Sequence, residues 1–198
     1  LTLKAWLALR GGGHPFAALD DPARLRALAR TMGLDVPIAV VADIAAAPAA
    51  FADALPVLPV PLAVPPIPGA PDQANAPAVV AAIERAADLA LRGAASAVAT
   101  NPINKAALYG AGFAYPGHTE FLAELTGARG KQVMMLASPS LRVVPVTVHA
   151  SLRDAIAMLT ADAIVSAART TAAALRRDFG IPAPRLAVAG LNPHAGEG

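Results

Sequence analysis

Three short stretches of this 198-residue sequence carry residues whose types and spacing could do chemistry. In the first, an apolar run at 94–99 leads into Thr100, Asn101 and Pro102, with Lys105 close behind. The turn Tyr115-Pro116-Gly117 then delivers His118 and Thr119 to the start of a helical pattern at 120–125. Helix N-termini carry unpaired backbone N–H groups that favour anions, so an imidazole and a hydroxyl placed there suit a small anionic substrate. In the second stretch, the apolar run 143–148 ends in His149. In the third, 185–191 ends in Asn192-Pro193-His194-Ala195-Gly196-Glu197-Gly198. All three apolar runs are expected to be strands. Ligands of open α/β sheets bind outside the carboxyl ends of the strands, so the three motifs are expected to share one crevice.

Each residue also has a plainer reading. His149 and His194 are separated by 194 − 149 = 45 positions, which is no local metal signature. His149 equally suits a histidine beside a helix cap. His194, between Pro193 and Gly196, is a poor core residue, which favours function. If both bind a metal, two imidazoles fall short of the three protein ligands that a catalytic zinc usually takes. His118 alternatively belongs to a surface turn with Thr119 capping the helix, and Lys105 to the solvated surface. Asp154, three residues after Ser151, is better read as part of a capping box than as a catalyst. His14 carries no assignment. No G-x-G-x-x-G follows any expected strand, so a Rossmann site lacks its main support.

These motifs need elements to hold them. Residues 1–10 have helical spacing and are stopped by Gly11. A short strand is expected within 14–19. Asp21 as cap and Pro22 at the first helical position start a helix ended by Gly33. Strand character follows at 36–41. Residues 45–54 are ambiguous. Residues 55–71 hold seven prolines and are expected to form an edge strand or surface crossing. A strong amphipathic helix is expected at 75–91, then the strand at 94–99. Beyond the first motif come strands at 132–137 and 143–148, helices at 151–159 and 162–179, and the strand at 185–191. This alternation predicts an α/β fold with a largely parallel sheet.

Composition sets the outer limits. Hydrophobic residues make up 56% and charged residues 15%, enough for a sizeable core. The formal charge of +2 comes with no dense basic cluster, so no nucleic-acid partner is expected. The prolines of 55–71 exclude a membrane span there, and none is expected elsewhere. With no cysteine, any metal site must use histidines and carboxylates, and a cytoplasmic setting is expected. The chain opens on leucine and closes in a glycine-rich loop, and reads as incomplete at both ends.

The segments T-N-P-I-N-K, G-A-G-F-A-Y-P-G-H-T-E-F, V-T-V-H-A-S-L-R-D and G-L-N-P-H-A-G-E-G, in that order, resemble the 4-hydroxythreonine-4-phosphate dehydrogenase family of vitamin B6 (pyridoxal phosphate) biosynthesis. The resemblance is strong over 94–198 and looser before that. It implies an isocitrate/isopropylmalate-dehydrogenase-like fold of two α/β/α domains around a cleft, here parts 1–100 and 101–198. It also implies a homodimer. The activity it implies is oxidation of the C3 hydroxyl of 4-phosphooxy-threonine, a small phosphorylated hydroxy-amino acid, by NAD or NADP. The 3-oxo acid then loses carbon dioxide to give 3-amino-2-oxopropyl phosphate.

Residue by residue, His118 and Thr119 match the family's substrate contacts, and His149 and His194 match two of its three metal-binding histidines. The divalent metal would be zinc first, then magnesium, cobalt or manganese. Asn101, Lys105 and Asn192 are expected only as polar lining, and no cofactor-binding residue is assigned. The family's G-D-P-A-G-I-G-type opening would precede Leu1, and its third metal histidine and phosphate-binding residues would follow Gly198. Alternatives are a paralogue acting on 4-phospho-erythronate or threonate, a non-redox phosphate-ligand module, and an inactive fragment.

Overall fold

Asp21 shows how the first unit begins. In the computed structural model, which describes residues 1–197, its Oδ1 accepts the N–H groups of Ala23 at 2.7 Å and Arg24 at 3.0 Å. With Pro22 at the first position, this starts helix α2 (Pro22–Thr31), which gives way to Gly33 at φ +63°. Before it lie helix α1 (Thr2–Leu9) and strand β1 (Ala18–Asp20). After it come strand β2 (Ile38–Val40), a 3-10 turn at Ile44–Ala46, the one-turn helix α3 (Ala47–Ala50), strand β3 (Leu55–Pro59) and the long helix α4 (Ala76–Leu91).

The three strands are parallel, in the order β1-β3-β2. Successive side chains of a strand face opposite sides, and both faces of β3 are buried. Leu55 and Val57 pack with Leu3 and Trp6 of α1, Leu25 and Ala29 of α2, and Phe51. Leu58 packs the other way, with Val41 and with Leu89 of α4. Helices thus cover both faces of a parallel sheet, giving an α/β unit as expected. Trp6 is fully buried and donates its indole N–H to the Phe51 carbonyl at 2.8 Å.

The proline-rich segment departs from expectation. Residues 55–59 form the central strand, not an edge. The reason lies in which way each missing N–H would point. Leu55 N–H donates to Pro37 and the Val57 carbonyl accepts from Val41, so odd-numbered residues of this stretch bond towards β2. Val60 N–H donates to Asp20, so even-numbered residues bond towards β1. Pro56 would therefore need a partner ahead of β1, and Pro59 one beyond the end of β2. Both prolines fall outside the short ladders they would otherwise break.

Other expected strands do not form. Residues 94–99 and 185–191 make no ladder, 143–148 is reduced to β5 (Arg142–Val143), and 132–137 to β4 (Leu136–Ala137), which pairs antiparallel with β5. Apolar patterning marks a segment suited to a sheet, but the strand itself consists of hydrogen bonds to a neighbour. Among the described residues, β4 and β5 pair only with each other, and 94–99 and 185–191 have no such bonds. Their apolar side chains show it: Leu186, Val188 and Leu191 are 41%, 66% and 61% exposed. The strand-end geometry that predicted one shared crevice is accordingly missing.

Contacts within the chain divide it into two compact units, Leu1–Gly127 and Ala128–Gly198. The first also holds helices α5 (Lys105–Gly110) and α6 (His118–Leu125). The second holds β4, β5, α7 (Leu152–Met158) and α8 (Ala161–Arg177). Ser151 and Asp154 cap α7 as expected: Ser151 Oγ accepts from Asp154 N–H at 3.2 Å and donates to its carboxylate at 2.7 Å. No helix among the described residues is long and apolar enough to cross a membrane.

The core assignment makes a contrast between two aliphatic truncations. Leu55→Ala, at a fully buried site, should lower the unfolding free energy by about 2–5 kcal/mol. Val188→Ala should change it by less than about 0.5 kcal/mol. Denaturant titration followed by circular dichroism measures both, and equal effects would remove β3 from the centre of the core.

Candidate functional site

The first unit carries a half-open cavity of about 610 Å³. Its apolar wall comes from α4, through Val79, Ala82 and Ile83, and from Phe16 and Ala18 around β1. Its polar groups include Asp20 and Arg24 where β1 passes into α2, Asp72 and Asn75 just before α4, Thr2 of α1, the loop from Thr100 to Asn104, and His118 at the start of α6.

Asp20 and Arg24 form an ion pair at 2.6 Å, four residues apart along the chain. Burial nevertheless pushes the Asp20 carboxyl above its ordinary value, outweighing the pull of Arg24. Its neighbour Asp21 is held low, first by the N–H of Arg24 and also by those of Leu62 and Ala23. Asn101 donates its amide to Thr2 Oγ at 2.8 Å, which ties this loop to α1. Asn104 caps α5 by accepting from Ala107 N–H at 2.9 Å.

His118 stands at the first position of α6, with Gly117 as its cap residue and no side chain capping the helix. Thr119 is therefore not spent on capping. The turn before it is held by three rings, Phe113, Tyr115 and Phe121, whose centroids lie 4.9–5.3 Å apart. Burial lowers the His118 pKa, so the imidazole that lines the cavity is neutral at neutral pH. Asn101 lines this cavity too. Lys105 does not: its Nζ lies behind Gly117, 3.9 Å from where a Cβ on that glycine would sit.

The remaining candidates belong to the second unit. His149 is exposed and has φ +55°, the single positive-φ residue other than glycine among the described residues. That conformation costs of order 1–2 kcal/mol. His194 Nδ1 lies 3.1 Å from Glu197 Oε2, a contact that leaves the Nε2 lone pair available when Nδ1 carries the proton. Asn192 is engaged within the same loop, its Oδ1 accepting from His194 N–H at 2.9 Å. The loop's last residue, Gly198, lies outside the described residues.

A catalytic zinc usually takes three such donors from a protein. Among the described residues, no group of three or more histidine and carboxylate side chains could hold one. His149 and His194 do not make a metal centre by themselves.

Sequence reasoning missed the Asp20–Arg24 pair and the role of Asn104. The signals were present: an Asp and an Arg at helical i,i+4 spacing, and an Asn immediately before the short helical run at 105–110.

Residues 14–198 match the family model for pyridoxal phosphate biosynthetic protein PdxA. The chain belongs to the PdxA family. Two curated relatives are named 4-hydroxythreonine-4-phosphate dehydrogenase. Those from Caulobacter vibrioides and Methylorubrum populi are both 51% identical over 100% of this chain, and the matches cover 60% and 58% of their lengths. This PdxA-family chain thus spans about 60% of the length of such relatives. Two solved structures of proteins so named are also similar. The one from Klebsiella pneumoniae has a TM-score of 0.78 and 36% identity over 91% of this chain and 56% of its own. The one from Burkholderia phymatum has a TM-score of 0.80 and 34% identity over 91% of this chain and 54% of its own.

Two measurements test this geometry. His118 is neutral in the fold, so its lowered pKa contributes stability that is complete above the ordinary imidazole value of about 6.5 and is lost as pH falls through the lower folded value. The midpoint of urea unfolding should therefore drop on acidification in that window, and His118→Gln should flatten this part of the profile. In the second unit, His149→Gly should raise stability by about 1 kcal/mol by relieving the left-handed backbone, read by denaturant titration. A loss of stability there would show that the imidazole itself holds the loop.

Proposed function

We propose that this chain is part of a 4-hydroxythreonine-4-phosphate dehydrogenase of pyridoxal phosphate biosynthesis. The observation that carries this reading is identity of about half of all residues to enzymes of that name along the whole chain, including the segment that places His118 at the cavity. The substrate is 4-phosphooxy-threonine. Its C3 carbon gives a hydride to NAD or NADP and its C3 hydroxyl gives up a proton. The resulting 3-oxo acid releases carbon dioxide, leaving 3-amino-2-oxopropyl phosphate.

In this reading the nicotinamide supplies the hydride acceptor, and the residues of the chain bind and orient. His118, neutral through burial, accepts or shares a hydrogen bond with the substrate without competing for its negative charge. Thr119 offers its hydroxyl one residue later, beside the free N–H groups at the start of α6, which suit the phosphate or carboxylate of the substrate. Asn101 adds polar lining to the cavity, and Asn192 is a polar residue of the loop that carries His194. His149 and His194 are two donors towards a divalent cation whose further ligands are not among the described residues. The proposal also includes the isocitrate/isopropylmalate-dehydrogenase-like two-domain fold, a homodimer and a cytoplasmic location.

Isothermal titration of the purified protein with 4-phosphooxy-threonine provides the test. Binding is expected, and His118→Ala should weaken it by about 10- to 100-fold, the cost of one hydrogen bond to a charged ligand. Tight binding that ignores His118→Ala would remove the imidazole from the substrate site. No binding at all, alongside retained folding, would sink the substrate assignment.

A further inference from the structure

Gly117 poses a question that its backbone does not answer. Its φ of −178° and ψ of −166° are extended, a conformation open to any residue, and it is not among the glycines at positive φ. The neighbours of the missing side chain are more informative, although they leave room for it at ordinary contact distance. A Cβ on Gly117 would stand 3.6 Å from Glu120 Oε2 and 3.9 Å from both Cε and Nζ of Lys105. Glu120 Oε2 is buried and has no hydrogen-bond partner. A buried, unpaired carboxylate oxygen is costly, and an ammonium group on an exposed, movable side chain lies just across the glycine. Neither Lys105 nor Glu120 lines the cavity, but Gly117 carries His118, which does.

We propose that Lys105 and Glu120 close into an ion pair behind Gly117, joining the start of α5 to the start of α6 and fixing the position of His118 from outside the cavity. Both are positioning residues. A side chain at 117 would fit there, but it would stand between the two charges and keep them apart. The link to ligand binding rests on the substrate reading given above, whereas the pair itself does not.

The test is a double-mutant cycle on the whole chain with two readouts. In the first, without ligand, Lys105→Met and Glu120→Gln should each lower the melting temperature by about 2–4 °C. The double variant should be no worse than either, and the exchanged pair, Lys105→Glu with Glu120→Lys, should recover most of the loss. Additive losses in the double variant would overturn the pair. In the second readout, each single variant should bind 4-phosphooxy-threonine about 10-fold more weakly, with no further loss in the double and recovery in the exchanged pair. Gly117→Ala should resemble either single variant. Coupled melting temperatures with unchanged affinity would overturn the positioning role. If the unaltered protein fails to bind 4-phosphooxy-threonine, the substrate reading falls while the melting cycle still decides the pair.

Discussion

The first unit depends on β3 being bonded on both sides. Its five residues supply the backbone partners of β1 and β2, and its alternating side chains enter the two separate apolar clusters that the helices cover. Helix α1 packs on the sheet through β3's Leu55 and Val57, and α4 through Leu58. The cavity follows from this arrangement, since it opens between β1, α4 and the loop from Thr100 to Asn104. A parallel sheet buried on both faces leaves little freedom in how those three can meet.

Much of this was legible in advance. Helix ends were the most readable feature, because caps are local chemistry: Asp21, Ser151 and Gly33 act where sequence places them. The central place of 55–59 was not legible, since prolines argue against an interior strand unless the bonding direction of each residue is known. The apolar runs at 94–99, 143–148 and 185–191 were visible as runs, but a strand also needs a neighbour that local pattern cannot supply.

The candidate site divides in the same way. The placement of His118 and Thr119 at a helix start was readable because a Pro-Gly turn and a helix start are both local signals; the structure brings His118 to the cavity and adds the aromatic trio that holds the turn. Burial of Asp20, the left-handed backbone of His149 and the orphaned oxygen of Glu120 are products of tertiary structure and leave no mark in residue order. The histidine pair shows the limit from the other side. Motif likeness marks both imidazoles, yet ligand geometry is a property of three or more side chains at once, and that group is not assembled among the described residues.

Trp6 has a consequence of a different kind. It is the sole tryptophan of the chain, sits fully buried in the first unit, and is joined there by both tyrosines, Tyr109 and Tyr115. The second unit holds no ultraviolet fluorophore stronger than phenylalanine. Intrinsic fluorescence therefore watches the first unit and is blind to the second. A single cooperative fluorescence transition describes the sheet around β3, while the loops that carry His149 and His194 melt out of sight.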